Sequence, residues 1–422
     1  MTVLDESMKQ STDNAAAAGE GMPSSSSQPA VLVVHNFYQQ PGGEDQVFKD
    51  EVELLRSRGH AVSTFTVHND EVAQLGKLSL ARKTLWNQDT YDRVAHVVQR
   101  EKPAIVHFHN TFPLVSPAAY YAARDHGAAV VQTLHNYRLL CPAATFFRDG
   151  HVCEDCLGKS IPWPGVVHKC YRDNRAASAM TAAMLTYHRM KRTWRDVVNV
   201  YIALTDFAKS KFVQGGLPAD KLVVKPNFVD PAPPEVYRGD GRTGRRYVVF
   251  VGRLSPEKGI STLLKGWNSG LTRSVPLKIL GDGPLRGEVT EAAAALSNVE
   301  YLGRRGMPEV FEIVGNAEAL IFPSLWYEGL PRTIIESFAC GTPVIASNLG
   351  SMSELVRPGR TGRLFEAGNA DDLARQVGEL LSNAAELSEL RRGARQEYLR
   401  AYTADQNYPM LMEAYRQALV CA

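Results

Sequence analysis

Two stretches of this sequence could together grip a phosphate and a polyhydroxyl compound. The first is Val251-Gly-Arg-Leu-Ser-Pro-Glu-Lys-Gly259, where Arg253 and Lys258 follow an apolar run into a turn. An Arg can fork onto two phosphate oxygens while a Lys acts as a point charge, so the pair suits a diphosphate. By itself, a solvated basic turn reads the same way. The second stretch is Leu325-Trp-Tyr-Glu-Gly-Leu-Pro-Arg-Thr-Ile-Ile-Glu336, after the apolar run Ala319 to Phe322. Pro331 suits the first turn of a helix, whose unpaired backbone N–H groups favour an anion. Glu328 then falls in the loop before the helix and Glu336 inside it. A loop Glu accepts hydrogen bonds from sugar hydroxyls, and a helical Glu can take two ribose hydroxyls together. In isolation such a pair is ordinary surface; between a buried strand and a Pro-started helix it is far more specific.

The first half offers a different set. Gly42 and Gly43 follow an apolar run, and without Cβ atoms their backbone can approach an anion closely; a tight strand-to-helix turn explains them equally. His135 closes the apolar run Ala129 to His135, at a strand end where open α/β sheets put their ligands. His107 and His109 alternate with Phe108 and so share one sheet face. His109 is nearer the strand end, although a buried structural histidine accounts for either. Asn110 and Asn136 are further polar candidates for the acceptor side. Four of the six cysteines crowd one region, Cys141, Cys153, Cys156 and Cys170. The middle pair is Cys-x-x-Cys, a spacing that suits tetrahedral structural zinc, with His151 and His168 in reserve. A redox pair, an iron–sulfur cluster and unrelated thiols are the competing readings. Cys340 and Cys421 read as an ordinary buried and an ordinary terminal residue.

The elements that carry these residues alternate strand and helix. Strands are expected at Ala30–His35, Ala61–Val67, Ala104–His109, Ala129–His135 and Val200–Leu204, with an amphipathic helix over Glu44–Arg58. The pattern restarts at Tyr247–Val251, Leu277–Leu280, Val299–Leu302, Ala319–Phe322 and Pro343–Ala346. Helices are expected to begin near Pro256, Pro284, Met307, Pro331 and Ser351. This predicts two Rossmann-like α/β domains facing each other across a cleft. Residues 1–29 read as a disordered tail and 30–230 as the first domain, with a Cys-rich insertion at 141–170. Residues 231–246, rich in Pro, Gly and Arg, read as a linker, 247–400 as the second domain, and 401–422 as a helix crossing back to the first. A chain of 422 residues suits two cores. A formal net charge of +2 gives no overall basic surface for nucleic acid. The first residues have no secretory pattern and no later stretch matches a membrane span, so a cytoplasmic protein is expected. Lys77, Arg82, Lys83, Lys191, Arg192 and Arg195 could meet an anionic membrane, or simply be solvated helix faces.

Val251–Gly259, Leu280-Gly-Asp-Gly-Pro284 and Glu328–Glu336, followed by Ala339-Cys-Gly-Thr-Pro-Val344, together resemble the retaining family 4 glycosyltransferases of the GT-B fold. The resemblance extends over residues 30 to 420. It implies that Arg253 and Lys258 stabilise a departing diphosphate, that Glu328 holds the donor sugar and that Glu336 holds the ribose. It further implies that backbone N–H groups of Gly329, Leu330, Arg332, Thr333 and Ile334 reach sugar and phosphate, and that Gly281 and Leu302 line a base pocket. Gly42 and Gly43 would approach the phosphate from the opposite domain, and His135 would lie beside the reacting sugar. The expected reaction is retaining hexosyl transfer from a UDP- or GDP-sugar to a hydroxyl of a glycan or lipid-linked acceptor, in bacterial-type polysaccharide or glycoconjugate synthesis. No catalytic cofactor is expected: the sequence has no Asp-x-Asp triplet to hold a divalent ion. A sugar-nucleotide epimerase or hydrolase of the same fold, or a non-catalytic binding protein with a zinc docking module, are the rival readings. Many family members lack the four cysteines, so the acceptor side is the least transferable.

Overall fold

The computed structural model describes residues 28–40, 42–233, 246–270 and 272–422. Nearly all of the expected tail and most of the expected linker lie outside the described residues. The first domain is a six-stranded parallel sheet. Its strands are β1 (Val31–Phe37), β2 (Val62–His68), β3 (Ile105–Phe108), β4 (Ala129–Leu134), β7 (Val200–Ala203) and β8 (Leu222–Val224), in the order β2-β1-β3-β4-β7-β8. A two-stranded antiparallel hairpin, β5 (Phe147–Arg148) and β6 (His151–Val152), stands apart inside the Cys-rich insertion. The second sheet is also six-stranded and parallel, in the order β11-β10-β9-β12-β13-β14. It contains β9 (Val248–Val251), β10 (Leu277–Leu280), β11 (Val299–Gly303), β12 (Leu320–Phe322), β13 (Val344–Ser347) and β14 (Gly362–Phe365).

In both sheets the order reverses beside the first strand, and the strand ends there open into a crevice. The central strands are apolar along their whole length because helices cover both faces: Val31 to Val34 and Val248 to Phe250 are all buried. Helix α1 (Gly43–Ser57) turns Phe48, Val52 and Leu55 onto the first sheet. Two helices matter for the second domain's site, α2 (Ile260–Trp267) after a short 3-10 turn at Pro256–Lys258, and α3 (Arg332–Ala339). The last helix, α4 (Ala404–Val420), buries Leu411, Ala414, Tyr415 and Ala418 against β-strand residues of the first domain.

Strands β8 and β14 were not anticipated. Leu222-Val-Val224 is a three-residue edge strand, and Gly362-Arg-Leu-Phe365 starts on a glycine with a charged second residue. Neither shows the apolar run that marks a central strand. The expected helix starts at Pro256 and Pro284 shift to Ile260 and Arg286, because each proline opens a turn that precedes the helix. No helix of the described residues is long and apolar enough to cross a membrane.

Burial sets a pH limit on this fold. His188 is enclosed, its Nδ1 2.9 Å from Thr193 Oγ1 and its Nε2 2.8 Å from the Leu85 carbonyl oxygen, and burial pushes its pKa down from 6.5 to about 4. Burial does the same to His107. The folded chain holds both neutral, so the unfolded chain binds more protons below 6.5. Their contribution to stability is complete above that value and lost as pH falls towards about 4. Thermal unfolding followed from pH 7 downward should therefore show Tm dropping through this window; a flat Tm would count against the burial argument.

Candidate active site

Strand β9 ends at Val251 and delivers the turn that carries Arg253 and Lys258. Gly259, at φ +72°, ends the 3-10 turn, and a Cβ there would stand 1.9 Å from the Pro323 carbonyl oxygen. Only glycine lets this turn lie on the strand end of β12. The Lys258 ammonium then reaches Glu328 Oε1 at 2.6 Å, and the Ser324 hydroxyl donates to the same oxygen at 2.6 Å. Lys258 also lies over the rings of Trp326 and Phe322. Arg253 is exposed and has no side-chain partner among the described residues. The two expected cations thus differ: one is anchored on Glu328 and the other is free.

The Glu328–Gly329 turn is pinned from both domains. Ser351 and Tyr137 donate to the Glu328 carbonyl oxygen at 2.8 and 3.2 Å, and Thr205 donates to that of Gly329 at 3.3 Å. A Cβ on Gly329 would stand 2.7 Å from the His135 carbonyl oxygen, so the two domains' backbones pass close together here. Pro331 is the N-cap of α3 rather than its first residue. Of the backbone groups expected to be available, the Ile334 N–H is taken by the Pro331 carbonyl at 3.0 Å, and the Ile334 side chain is core. The N–H groups of Gly329, Leu330, Arg332 and Thr333 have no protein acceptor among the described residues. Those of Arg332 and Thr333 open α3, where a helix leaves its first N–H groups unpaired and its dipole favours negative charge.

Glu336 accepts from Arg332 Nε at 2.7 Å, and Arg332 also pairs with Asp50 of α1 across the cleft. Burial raises the Glu336 carboxyl and Arg332 counteracts it. Gly281 answers an internal need, since at φ +140° its Cβ would fall 1.8 Å from the Gly252 carbonyl. Leu302 is half-buried on β11, next to Gly303.

Across the cleft, Gly42 and Gly43 begin α1. Neither has a positive φ, and a Cβ on either would meet nothing within 4 Å. Their shape comes from Asp45, which accepts from the Gly42 N–H at 2.8 Å and from His35 Nε2 at 2.8 Å. Burial raises the Asp45 carboxyl, but these bonds hold it below its ordinary value. Asn136 donates to Glu44 Oε1 at 2.8 Å, and Tyr38 donates to Glu44 Oε2 at 2.8 Å. Burial leaves the Glu44 carboxyl raised despite both bonds. Asn110, expected on the acceptor side, is buried and spent on the backbone: it donates to the Asn36 carbonyl and accepts from the Phe112 N–H.

His135 is half-buried, with Nε2 3.0 Å from His109 Nδ1, and burial pushes both rings well below their ordinary pKa. Behind them, Glu51 lies 3.2 Å from His107 Nδ1 and 4.0 Å from His109 Nε2. Among the described residues this is the group of three ligand atoms that closes to within 4.8 Å. The Lys225 ammonium, 3.4 Å from Glu51, already supplies the positive charge there, and both His107 nitrogens have hydroxyl partners in Tyr415 and Thr133. His107 is thus a core residue, and His109 is the buried support of His135. The four cysteines of the insertion line one small cavity.

A family model described as "Glycosyltransferase Family 4" matches residues 41–233, and one described as "Glycosyl transferases group 1" matches residues 245–383. The chain belongs with the GT-B glycosyltransferases. An uncharacterized glycosyltransferase of Methanocaldococcus jannaschii is 33% identical over 137 residues, 32% of this chain and 38% of the relative. D-inositol 3-phosphate glycosyltransferase of Rhodococcus erythropolis is 32% identical over 192 residues, 42% of each chain. The matches thus span about two fifths of the length of these two curated relatives. Among solved structures, Anabaena Alr3699/HepE in complex with UDP-glucose has a TM-score of 0.64 at 17% identity, covering 92% of this chain and 99% of that one. At that identity the likeness is one of fold.

Within this GT-B frame, sequence reasoning passed over Ser324, Glu44, Asp45, Asp50 and Tyr137. Glu44 and Asp45 directly follow the glycine pair, a position that could have flagged them. Asp50 and Tyr137 act across the cleft, and no spacing along the chain announces such contacts.

Proposed function

We propose that this glycosyltransferase moves a hexosyl unit, with retention of anomeric configuration, from a UDP- or GDP-sugar to a hydroxyl of a glycan or lipid-linked acceptor. One observation carries the reading. Lys258 is held on Glu328 Oε1, and among the described residues Arg253 has no side-chain partner and the N–H groups of Gly329, Leu330, Arg332 and Thr333 have no protein acceptor; we assign these groups to one diphosphate, with Gly42 and Gly43 of the other domain facing it. Such an array stabilises the charge that builds on a departing diphosphate, the largest protein contribution expected in group transfer of this kind. Glu328, oriented by Lys258 and Ser324, is the group assigned to the donor hydroxyls. Glu336, oriented by Arg332, is assigned to the ribose. With the diphosphate held by protein cations, transfer proceeds without a divalent metal. The leaving phosphate itself takes the acceptor proton on the face from which it departs.

The relatives support the chemical class. One is named as a D-inositol 3-phosphate glycosyltransferase, and one structural neighbour holds UDP-glucose. Leu78 and Met190 are 89% and 79% exposed, with the basic side chains of Lys77 and Lys191 beside them in sequence. That surface fits peripheral contact with an anionic membrane, where a lipid-linked acceptor would be found.

Thermal-shift screening against nucleotides and nucleotide sugars, followed by an assay of nucleotide release without added divalent metal, tests the proposal. A ligand that binds only the folded chain must raise Tm. No shift with any nucleoside diphosphate would overturn the reading, and release of nucleotide at full rate without any acceptor would redirect it to hydrolysis. The glycine pair provides a separate check. Gly42→Ala should fold normally, because a Cβ there meets nothing within 4 Å beyond its chain neighbours, while the donor KM rises about tenfold, equivalent to ~1.4 kcal/mol of lost binding. An unchanged KM would show that nothing approaches the glycine backbone.

A further inference from the structure

We infer that Cys141, Cys153, Cys156 and Cys170 hold a structural zinc ion through four thiolates, and that this ion braces the module lying against the Glu328 turn. The four sulfur-bearing residues line a single small cavity together with Ala143, Phe147, Arg148 and Gly165. They reach it from separate short pieces of backbone. The Cys141 N–H closes a turn on Tyr137, Cys153 follows β6 with its N–H on the Phe146 carbonyl, and Cys156 sits in the next turn. The Cys170 N–H is bonded to Gly165 in the five-residue helix Trp163–Val167.

These pieces carry little regular structure of their own, although Leu140, Cys141 and Phe146 join the first domain's core and Arg189 bonds the Leu139, Lys159 and Ser160 carbonyls. The regular structure of the insertion is two strands of two residues and that one short helix. Segments this small do not bury enough apolar surface to order themselves, and a metal or cross-link usually supplies the deficit. The backbone here also adopts costly conformations. Ala144, Phe146, Asp149, Lys169, Arg172 and Asp173 are six of the nine non-glycine residues with positive φ among the described residues. Something must over-determine such a conformation for it to persist.

All four cysteines are free thiols. Soft thiolates in a Cys-x-x-Cys pair plus two further cysteines suit tetrahedral zinc. The sulfurs share the cavity without reaching the 4.8 Å spacing met by Glu51, His107 and His109. Binding one ion would require the thiols to turn about their Cα–Cβ bonds towards the cavity they share.

The module's position gives the ion a consequence, which rests on the donor-site reading above. Phe146 packs on Tyr327 with ring centroids 6.1 Å apart, Glu154 pairs with Lys211 at 2.7 Å, and Lys211 lies over Tyr327. Tyr137, at the start of the module, donates to the Glu328 carbonyl oxygen. Loss of the ion should therefore loosen the Glu328 turn and raise the donor KM.

The test is elemental analysis of the full chain, purified without a histidine tag under anaerobic conditions, together with cobalt substitution. We expect about one zinc per chain, intense visible absorption of a tetrahedral cobalt–thiolate site, and near-complete loss of metal in the Cys153→Ser/Cys156→Ser double variant. If that variant does not fold, the metal content and cobalt spectrum of the unaltered chain still decide the matter. Metal-free protein with disulfides, iron in place of zinc, or zinc retained by the double variant would each overturn the inference. Nucleotide binding is measured separately by thermal shift: zinc without nucleotide binding removes the donor-site reading alone, and nucleotide binding without zinc removes this inference alone.

Discussion

Glu328→Gln should lower turnover by ~10²–10³-fold, the range seen when one preorganised electrostatic group is removed from an active site. The side chain keeps its shape but loses the charge that Lys258 meets at 2.6 Å, and the Ser324 hydroxyl loses a carboxylate acceptor. The turn itself should hold, because Ser351 and Tyr137 grip the Glu328 backbone and not its side chain. The expected pattern is a low kcat with a nearly unchanged Tm. Lys258→Ala should give the same pattern, since it removes both the diphosphate charge and the partner that orients Glu328. Near-normal rates in both variants, measured as nucleotide release with acceptor present, would remove this cluster from the chemistry.

Gly259→Ala is expected to have the largest effect on stability. Its φ of +72° disfavours any side chain, and the added Cβ would stand 1.9 Å from the backbone oxygen of Pro323. A contact of that length with backbone cannot be relieved by a rotamer change; the turn or the end of β12 must move. The cost should be ~2–4 kcal/mol, in the range of strained-backbone substitutions. Chemical denaturation would read it as a lower midpoint at constant m-value. The same movement takes Lys258 away from Glu328, so residual folded protein should also bind nucleotide weakly. Wild-type stability would show that the turn is compliant.

How much of this was legible beforehand follows from the range of the interactions. Val31 to Val34 and Val248 to Phe250 announced buried parallel strands because helices cover both faces of each sheet. The Pro331-to-Glu336 stretch announced a helix start because proline and helix ends have local signatures. Strands β8 and β14 were missed because edge strands carry short or mixed patterns. Within the site, motif resemblance singled out Lys258 and Glu328 separately, yet neither their contact nor Ser324 as a third partner could be read in advance. Ile334 was expected to offer its N–H, but the Pro331 carbonyl takes it, a detail of capping geometry that composition does not encode. Asn110 was read as facing the cleft; in the folded chain its amide holds the Asn36 and Phe112 backbone. Cross-domain contacts such as Arg332 with Asp50 were invisible because they join residues far apart in the chain.

The most direct measurement is a crystal structure of the chain soaked with a nucleoside diphosphate. The diphosphate should lie within hydrogen-bond reach of the N–H groups at Gly329 to Thr333, with Arg253 and Lys258 turned towards it. Density instead in the basic hollow lined by Lys159, Arg189, Arg192 and Arg195, or anywhere that leaves the start of α3 facing water alone, would contradict the account.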